Sequence, residues 1–358
     1  MGLLKTLLGP RTRQVTVQPA GTSFEVRSNQ SILEAALSQG IAFPHSCTVG
    51  TCGSCKCRLT TGRIREISNF GYVLSAEELQ GNIILACQAA ARSDVELEVP
   101  GLSAHRLQPA ADYTATLTQS VDLTHDIREI SLKLDRPLRF DGGQYAQLAC
   151  DSVYGARAYS FAMAPTAAGV EEVSFFVRHV PEGQFTDRLF AGELDGETLR
   201  LHGPCGNFWL RESRASMICV AGGSGLAPLL SMLEDACARH VGRSCVVLFG
   251  ARTAADLYAE DRLSVLAQSW NGAFRFVPVL SDELPDSAWQ GARGLVTTAI
   301  AAAARDLISG ESEAYLCGPP GMIDAAIPEL EALGIQAPNM HFDKFLDGSH
   351  GLSRQALG

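Results

Sequence analysis

Short runs in which apolar and polar residues alternate dominate the chain between about residues 110 and 210. They are rich in β-branched and aromatic side chains, and turn clusters such as Asp-Gly-Gly and Pro-Glu-Gly separate them. Alternation with a period of two predicts strands with one buried face. The runs are TATLTQSV, REISLKL, QYAQLAC, EEVSFFVRHV and ETLRLHGP. This part of the chain is therefore predicted to form an antiparallel barrel or sandwich.

The pattern changes after about residue 215, where apolar runs become nearly continuous. These runs are SMICVAGG, SCVVLFGA, AFRFVPVL and EAYLCGPP, and helical segments such as PLLSMLEDACARH, AEDRLSVLAQSW and TTAIAAAARDLI lie between them. Strands that are apolar on both sides and alternate with helices indicate a parallel sheet covered on both faces. The sequence thus predicts a doubly wound α/β domain here.

Composition narrows the class of protein. Of the 358 residues, 46% are apolar and 19% are charged, which is ordinary for globular domains and excludes wholesale disorder. The net charge of −10 disfavours duplex DNA as a partner. No apolar run approaches the about 20 residues that cross a bilayer, and no secretory signal precedes the 11 cysteines. We therefore expect a cytoplasmic protein without a membrane span or a nucleic-acid partner.

Charges and cysteines are distributed unevenly along the chain. Residues 1–103 carry nine Lys+Arg and eight Asp+Glu, whereas residues 104–358 carry 20 and 31, so the net charge changes from +1 to −11. Pro100, Gly101 and Pro109 accompany this change and indicate a linker. We predict three domains, at residues 1–103, 104–212 and 213–358.

Four cysteines in the first domain have the spacing of a metal site. They follow a C-x4-C-x2-C pattern with a fourth cysteine after 31 intervening residues, and are Cys47, Cys52, Cys55 and Cys87. Gly50 and Gly53 give the loop the freedom to turn tightly. The spacing matches the plant-type 2Fe-2S ferredoxin signature, which implies a β-grasp domain. A four-cysteine zinc site is the alternative, although only one of the paired C-x2-C knuckles that zinc favours is present. We interpret Cys57 as a packed bystander.

The segment Arg157–Ser160 reads R-x-Y-S and resembles the flavin signature of the ferredoxin–NADP reductase superfamily. Chemically, Arg157 suits a pyrophosphate, the Tyr159 ring can stack on an isoalloxazine, and the Ser160 hydroxyl can bond a flavin nitrogen. The neighbouring motifs, DGGQYAQL before it and GPCGNFWL after it, keep the order of that family. The turn PEGQFTDRL resembles its phosphate-binding turn, with Gly183 and Thr186 in the matching places.

The last domain carries two further motifs of the same superfamily. The strand SMICVAGG runs into a loop that resembles G-G-[ST]-G-[IL]-A-P, where compact glycines let a pyrophosphate approach backbone amides. Its candidate residues are Gly222, Gly223, Ser224, Gly225, Ala227 and Pro228. The segment YLCGPPGMI resembles a C-G-P-P motif whose cysteine lies beside the nicotinamide carbon, which implies that role for Cys317 with Gly318 and Pro319 next to it.

The segment HFDKFL near the end resembles the family's C-terminal acid-x-aromatic motif. Asp343 would take the acidic place, where Glu is commoner, and Phe345 would cover the flavin. Because 13 residues follow Phe345, an ordinary core phenylalanine is the alternative for that position. The remaining cysteines are interpreted as small core residues, and these are Cys150, Cys205, Cys219, Cys237 and Cys245.

Cofactor preference is expected in the segment FGARTAADLY, which follows the second strand of the last domain. Arg252 and Thr253 could hold the 2′-phosphate of NADPH, whereas Asp256 disfavours one. In the branch that this chain resembles, such a segment usually accompanies NADH, so NADH is expected rather than NADPH.

Taken together, the motifs resemble the reductase components of bacterial multicomponent oxygenases, such as benzoate dioxygenase reductase and phenol hydroxylase reductase. The resemblance implies an α+β and α/β multidomain protein in which electrons pass from NADH through FAD and a 2Fe-2S cluster to an oxygenase component. Within that scheme Ser160, Cys317 and Asp343 would shape the site of hydride transfer. The domain order favours FAD over FMN, and a monomer is expected.

Two other functions are weighed against this interpretation. The same relay could serve a non-oxygenase acceptor, such as a deoxysugar dehydrase or a desaturase. Alternatively, the chain could be a non-enzymatic iron-sulfur or zinc module attached to a degenerate flavoprotein body.

Overall fold

The computed structural model describes residues 12–45, 48–99, 102, 107–304, 306–307, 309 and 311–345. The chain divides into two compact units, residues 1–111 and 112–358. The first contains a five-stranded and a two-stranded sheet, and the second contains two six-stranded sheets. The predicted domain limits at residues 103/104 and 212/213 remain predictions; each lies between the last strand of one large sheet and the first strand of the next.

The first unit is a mixed sheet with a helix against it. Its strands are β1 (Thr12–Gln18), β2 (Thr22–Arg27), β3 (Lys56–Thr61), β4 (Ile64–Glu66), β5 (Ile83–Leu85), β6 (Ala89–Ala91) and β7 (Val95–Glu98), and its helices are α1 (Ile32–Ser38) and α2 (Ala76–Gln80). The large sheet has the order β2-β1-β7-β3-β5, with β1 and β7 parallel. Ser31 caps α1, which buries Ile32 and Leu33 in the core of this unit. This is the β-grasp architecture that the resemblance implied.

The first of the two six-stranded sheets is antiparallel and curls until its two edges meet. Its strands are β8 (Ala111–Asp122), β9 (Ile127–Leu138), β10 (Tyr145–Ala149), β11 (Arg157–Ser160), β12 (Val170–Arg178) and β13 (Thr198–Cys205), with helix α3 (Gln184–Phe190). The order is β11-β10-β13-β8-β9-β12, and a bridge between Phe161 and Phe175 joins the two edges. Each of the five alternating runs forms one of these strands, so the predicted barrel is confirmed.

The other six-stranded sheet is parallel throughout. Its strands are β14 (Met217–Gly222), β15 (Cys245–Ala251), β16 (Phe274–Leu280), β17 (Ala292–Arg293), β18 (Glu313–Gly318) and β19 (Met340–Lys344). The helices are α4 (Leu226–Ala238), α5 (Glu260–Ser269), α6 (Val296–Ala304) and α7 (Pro320–Ala332). The order β17-β16-β15-β14-β18-β19 places the point where the connections reverse direction between β14 and β18.

Alternate residues of β14 enter different cores, as the continuous apolar run predicted. Cys219 and Ala221 pack with residues of α4 and α5, whereas Ile218 and Val220 pack with residues of α6 and α7. The sheet is therefore covered on both faces, which confirms the doubly wound fold. Among the described helices, none combines the length and apolarity that a membrane crossing requires.

Hydrogen bonds and close packing join the barrel backbone to helix α4. The Ser231 hydroxyl donates to the Met163 carbonyl at 2.6 Å and accepts from the Gly143 amide at 3.3 Å. A Cβ on Gly142 would lie 2.8 Å from the Ser231 carbonyl oxygen, so only glycine allows this approach. The barrel and the parallel sheet are thus held closely together within the second unit.

A buried ion pair holds the parallel sheet at the edge where its strands begin. The Arg243 guanidinium, which is 3% exposed, lies 2.7 Å from a carboxylate oxygen of Glu313. It also donates to the carbonyls of Ala215 and Arg211, while the Tyr315 hydroxyl donates to Glu313 at 2.7 Å. Burial raises the pKa of the Tyr315 hydroxyl above its ordinary value, and the charge of Glu313 adds to this effect.

We expect Arg243→Met to lower the free energy of unfolding of the second unit by about 3 kcal/mol, because it leaves the Glu313 charge buried without its partner. Arg275→Met is the matched control, since it removes an exposed ion pair with Asp306 and should cost less than about 1 kcal/mol. All three tryptophans lie after residue 111, so tryptophan fluorescence in a urea titration reports this unit alone. Equal losses in both variants would contradict the prediction.

Candidate functional site

The cysteine loop of the first unit brings two distant thiols together. The Sγ atoms of Cys55 and Cys87 are 3.3 Å apart, too far for a disulfide and close enough to bind one metal centre. Cys87 reaches this position on a single 3-10 turn between β5 and β6. Cys52 is exposed in the loop before β3, and Cys47 lies outside the described residues. Two of the four predicted ligands are therefore brought together, and the part of Cys52 and Cys47 in the same site stays a prediction.

Glycine backbone conformations shape the cysteine loop. Gly50 and Gly53 have φ angles of +81° and +74°, in the left-handed region that favours glycine. A Cβ on Gly50 would also lie 2.6 Å from the side chain of Gln88, the residue after Cys87. The loop can therefore lie against the segment that carries the fourth predicted ligand only if this position is glycine.

Other predicted roles of cysteine and histidine can be compared with the structure. Cys57 is in the core on β3, as a packed residue. His45 is buried, with its Nδ1 2.8 Å from the Phe43 carbonyl oxygen, and burial lowers its pKa. The single cysteines Cys150, Cys219 and Cys245 are buried as expected. Two others are only partly buried: Cys237 packs against the core around α4, whereas Cys205 was wrongly assigned to a core.

The R-x-Y-S motif is strand β11, which pairs with β10 in the barrel. The Tyr159 ring packs against Phe185 at 5.7 Å between centroids, and burial raises the pKa of its hydroxyl. Ser160 is buried at the end of the strand. The Arg157 guanidinium donates to the carbonyls of Tyr154 and Ala156, and no carboxylate in the described part of the chain forms an ion pair with it. Its charge is available for a pyrophosphate, so the strand fits the predicted flavin.

The turn before α3 is held by the side chain of Thr186, in the first turn of that helix. The Thr186 hydroxyl accepts from the Val180 amide at 3.2 Å and donates to the Val180 carbonyl at 3.0 Å. A Cβ on Gly183 would clash with this hydroxyl. Thr186 thus fixes the turn that presents the backbone amides at the start of the helix. Direct contact of its hydroxyl with a phosphate remains a prediction.

The glycine loop of the parallel sheet lies between β14 and β18, where the connections reverse direction. Gly223 has a φ of +55° and open space where a Cβ would point, while the Tyr258 hydroxyl donates to its carbonyl at 2.8 Å. A Cβ on Gly225 would clash with the Cys317 carbonyl. The loop therefore lies directly against the end of β18, next to the C-G-P-P motif. Close backbone approach at a helix N-terminus fits the pyrophosphate of a dinucleotide. Among the other members of the motif, Ser224 lies in the 3-10 turn before α4, and Ala227 and Pro228 lie in the first turn of that helix.

Cys317 lies in β18 between β14 and β19, where it pairs with Ala221 and Asp343. Its side chain has no exposed surface and packs in the core shared with α4. Burial raises the pKa of its thiol well above the ordinary value, with the nearby Asp343 as a second cause. A neutral thiol at the edge of the dinucleotide loop results, and its contact with nicotinamide remains a prediction. Gly318 and Pro319 follow it and lead into α7.

The acid-x-aromatic motif forms the end of β19. Asp343 lies beside Cys317 in the parallel register, and the Phe345 amide donates to the Gly318 carbonyl at 2.9 Å. Burial raises the pKa of the Asp343 carboxyl to about 6. Asp343 is therefore near the C-G-P-P motif, as predicted, while the covering role of Phe345 stays a prediction.

The loop after β15 carries a dense set of charges. Arg252 donates to Asp126 at 3.0 Å and lies 3.3 Å from Asp256. Asp256 also accepts hydrogen bonds from the Thr253 amide and hydroxyl, each at 3.0 Å. Burial acts to raise the pKa of Asp256, but these hydrogen bonds and the charge of Arg252 lower it below its ordinary value. Arg252 is thus already paired with carboxylates.

Sequence reasoning missed two contributors to this region. Tyr258 anchors the glycine loop, and its place two residues after Asp256 was the available signal. Asp126 lies on the barrel, 126 residues from its partner Arg252. No local pattern could have indicated that pairing.

Three family models match the chain in sequence order. They are described as a 2Fe-2S iron-sulfur cluster binding domain at residues 15–92, an oxidoreductase FAD-binding domain at residues 114–209 and an oxidoreductase NAD-binding domain at residues 219–327. The xylene/toluene monooxygenase electron transfer component of Pseudomonas putida is 40% identical over 337 residues, which are 94% of each chain. The chain belongs to the family of oxygenase reductase components. These matches confirm the predicted resemblance.

Other members of this reductase family agree over nearly the whole length. The phenol hydroxylase P5 protein of Acinetobacter pittii is 37% identical over 353 residues, 96% of this chain and 98% of the relative. The crystal structure of the Amycolatopsis cytochrome P450 reductase has a TM-score of 0.77 and 36% identity, covering 93% of this chain and 99% of that one. The reductase is an NAD(P)H-dependent oxidoreductase with 2Fe-2S, FAD and NAD binding domains, and the zinc alternative is wrong.

The raised pKa of Asp343 predicts how stability depends on pH. Because the folded protein binds this proton more tightly than the unfolded chain, the stabilisation is complete below pH 3.8 and is lost as the pH rises through about 6. Asp343→Asn keeps the neutral form and should therefore be more stable than the parent by about 1–2 kcal/mol at about pH 8. The difference should vanish near pH 4. Thermal unfolding of both proteins across this range measures it, with the exposed Asp286→Asn as control; a constant difference would contradict the prediction.

Proposed function

We propose that this reductase takes electrons from NADH and passes them, through FAD and the 2Fe-2S cluster, singly to an oxygenase component. The observation that carries the proposal is the occurrence of all three binding sites on one chain, in the order of the family models. Bound FAD accepts a pair of electrons as hydride and releases them one at a time, and a 2Fe-2S cluster carries single electrons.

The residues of the chain contribute binding and position rather than acid–base chemistry. Arg157 would bind the flavin pyrophosphate, Tyr159 would lie along the flavin, and Ser160 would donate to it. The loop from Gly222 to Gly225 would receive the dinucleotide, and Cys317 would limit how deeply the nicotinamide enters. Asp343, beside Cys317, would be protonated below about pH 6.

The preference for NADH over NADPH is supported by the charges after β15. Arg252 has carboxylate partners, and Glu283, which follows β16, accepts from the Ala254 amide of this loop at 2.7 Å. A 2′-phosphate would have to compete with these carboxylates for the cation and would be repelled by them. The 2′-hydroxyl of NADH carries no charge and avoids both costs.

An oxygenase is the proposed acceptor because the relatives are named for such systems. They include a xylene/toluene monooxygenase electron transfer component and a phenol hydroxylase protein. These names support an oxygenase over a dehydrase or a desaturase as the acceptor. No disulfide joins the described cysteines, which suits the reducing cytoplasm. The proposed monomer is tested by sedimentation.

Cys52→Ser should remove the cluster and separate two activities. The rate of reduction of a one-electron protein acceptor should fall by more than about 100-fold. Loss of a residue that only supports a metal ligand already costs about 10–100-fold, and Cys52 is a predicted ligand itself. NADH-dependent reduction of ferricyanide should remain, because the flavin can supply it directly. Stopped assays with cytochrome c and ferricyanide measure both.

The control for this experiment is Cys57→Ala, which changes a core cysteine two residues from Cys55. It should retain the visible absorption of the cluster and both activities. If Cys52→Ser lost both activities equally, the proposed relay would be wrong.

The parent protein should use NADH with a kcat/KM at least about tenfold above that for NADPH, as expected for one uncompensated charge repulsion in the site. Steady-state ferricyanide reduction with each dinucleotide measures the ratio. A ratio near one, or a preference for NADPH, would refute the choice of NADH.

A further inference from the structure

The turn between β8 and β9 of the barrel reaches the loop after β15 of the parallel sheet. Asp126 Oδ2 lies 3.0 Å from Arg252 Nη2, and His125 Nε2 lies 3.1 Å from the same nitrogen. His125 Nδ1 is 3.2 Å from a carboxylate oxygen of Asp256. The flavin-binding sheet thus supplies two side chains to the segment expected to select the dinucleotide.

The Asp126 carboxylate is fixed before any ligand arrives. The Thr124 hydroxyl accepts from the amides of Asp126 and Ile127, and donates to Asp126 Oδ1 at 3.1 Å. The Asp126 amide and carboxylate are therefore tied to one buried hydroxyl. The side chain of Asp126 is 17% exposed and that of Arg252 is 46% exposed, so the acid is the less mobile partner of the pair.

The balance of charges depends on Asp126. Its Oδ2 also lies 3.3 Å from Arg178 Nε, so two guanidinium groups share this carboxylate. Asp256 is the second carboxylate beside Arg252. With the imidazole of His125 neutral, donating from Nδ1 to Asp256 and accepting at Nε2, two cations face two carboxylates. Removal of Asp126 would leave an excess positive charge in this cluster.

We propose that Asp126, on the flavin-binding barrel, is a specificity-determining residue for the dinucleotide: it holds the Arg252 guanidinium and so withholds it from the 2′-phosphate of NADPH. This inference rests on the proposed preference for NADH and assigns part of it to a different sheet. Asp256 and Thr253 belong to the dinucleotide loop itself, whereas Asp126 makes the selection depend on how the barrel meets that loop.

A bound cation is the other chemistry that the cluster suggests. His125, Asp126 and Asp256 offer ligand atoms within 4.8 Å of one another. The Arg252 guanidinium, however, contacts all three side chains. A metal ion there would have to displace this cation, so the ion-pair network is the interpretation that the contacts favour.

The test is Asp126→Asn in the purified holoenzyme, which keeps the shape of the side chain and removes its charge. The ratio of kcat/KM for NADPH to that for NADH should rise about five- to tenfold, the effect of freeing one partly exposed charge. Binding of 2′,5′-ADP, measured by calorimetry against 5′-ADP, should tighten by a similar factor. Calorimetry separates dinucleotide binding from flavin chemistry.

Asp122→Asn is the matched control. Asp122 lies four residues earlier, is 64% exposed and pairs with Arg128 rather than Arg252. It removes the same charge from the same hairpin and should leave the ratio within about twofold of the parent, since an exposed pair contributes little. An equal shift in both variants would mean that net charge alone acts, and would overturn the proposal.

The double variant Asp126→Asn with Arg252→Gln tests whether Arg252 carries the effect. The gain toward NADPH and 2′,5′-ADP should disappear, because the released cation is no longer present. If the gain persisted, Arg252 would not be the group that Asp126 withholds, and the proposal would be wrong.

The two proposals fail in distinguishable ways. A parent enzyme that prefers NADH, with an Asp126→Asn variant of unchanged ratio, overturns only the role of Asp126. A parent enzyme that prefers NADPH overturns the proposed preference and this inference together.

Discussion

The second unit depends on a contact between backbones at the reversal point of the parallel sheet. The end of β14 and the end of β18 approach so closely that a side chain on Gly225 would clash with the Cys317 carbonyl, and one on Gly318 would lie 2.9 Å from the Gly222 carbonyl oxygen. Since α4 and α7 both begin here, the contact sets where each helix starts. The same approach leaves backbone amides exposed to a phosphate. The packing of these elements and the proposed dinucleotide site thus depend on one steric constraint.

Much of the fold could be predicted because the buried positions of a strand or helix determine the pattern of apolar residues along the chain. Strand β14 is buried at every residue, and its unbroken apolar run indicated a central parallel strand. Helix α7 was missed because Pro320 and Pro328 interrupt the expected pattern, although Pro320 lies in the first turn, where proline is tolerated. Strand β19 was recognised only as a motif, since its partly buried residues alternate weakly.

The site was predictable to the extent that its chemistry is local in sequence. The cysteine spacing and the R-x-Y-S motif each indicated a ligand from a few neighbouring residues. The motif could not show that the Thr186 hydroxyl closes its own turn. Both of its partners are backbone groups of Val180, six residues earlier. The pairing of Arg252 with Asp126 joins two sheets, so the sequence of neither segment alone could predict it.

The two ends of the parallel sheet are built by different means. At one end, the buried pair of Arg243 and Glu313 ties strands and loops through charge and hydrogen bonds. At the other, the glycine loops approach each other through their backbones and contribute little side-chain packing of their own. This separation has an evolutionary consequence: substitutions of the exposed Arg252 side chain, in the segment expected to select the dinucleotide, leave both the buried ion pair and the backbone contact of the glycine loops in place. Such a scaffold can diversify its preferences by gradual drift, without first acquiring compensating substitutions.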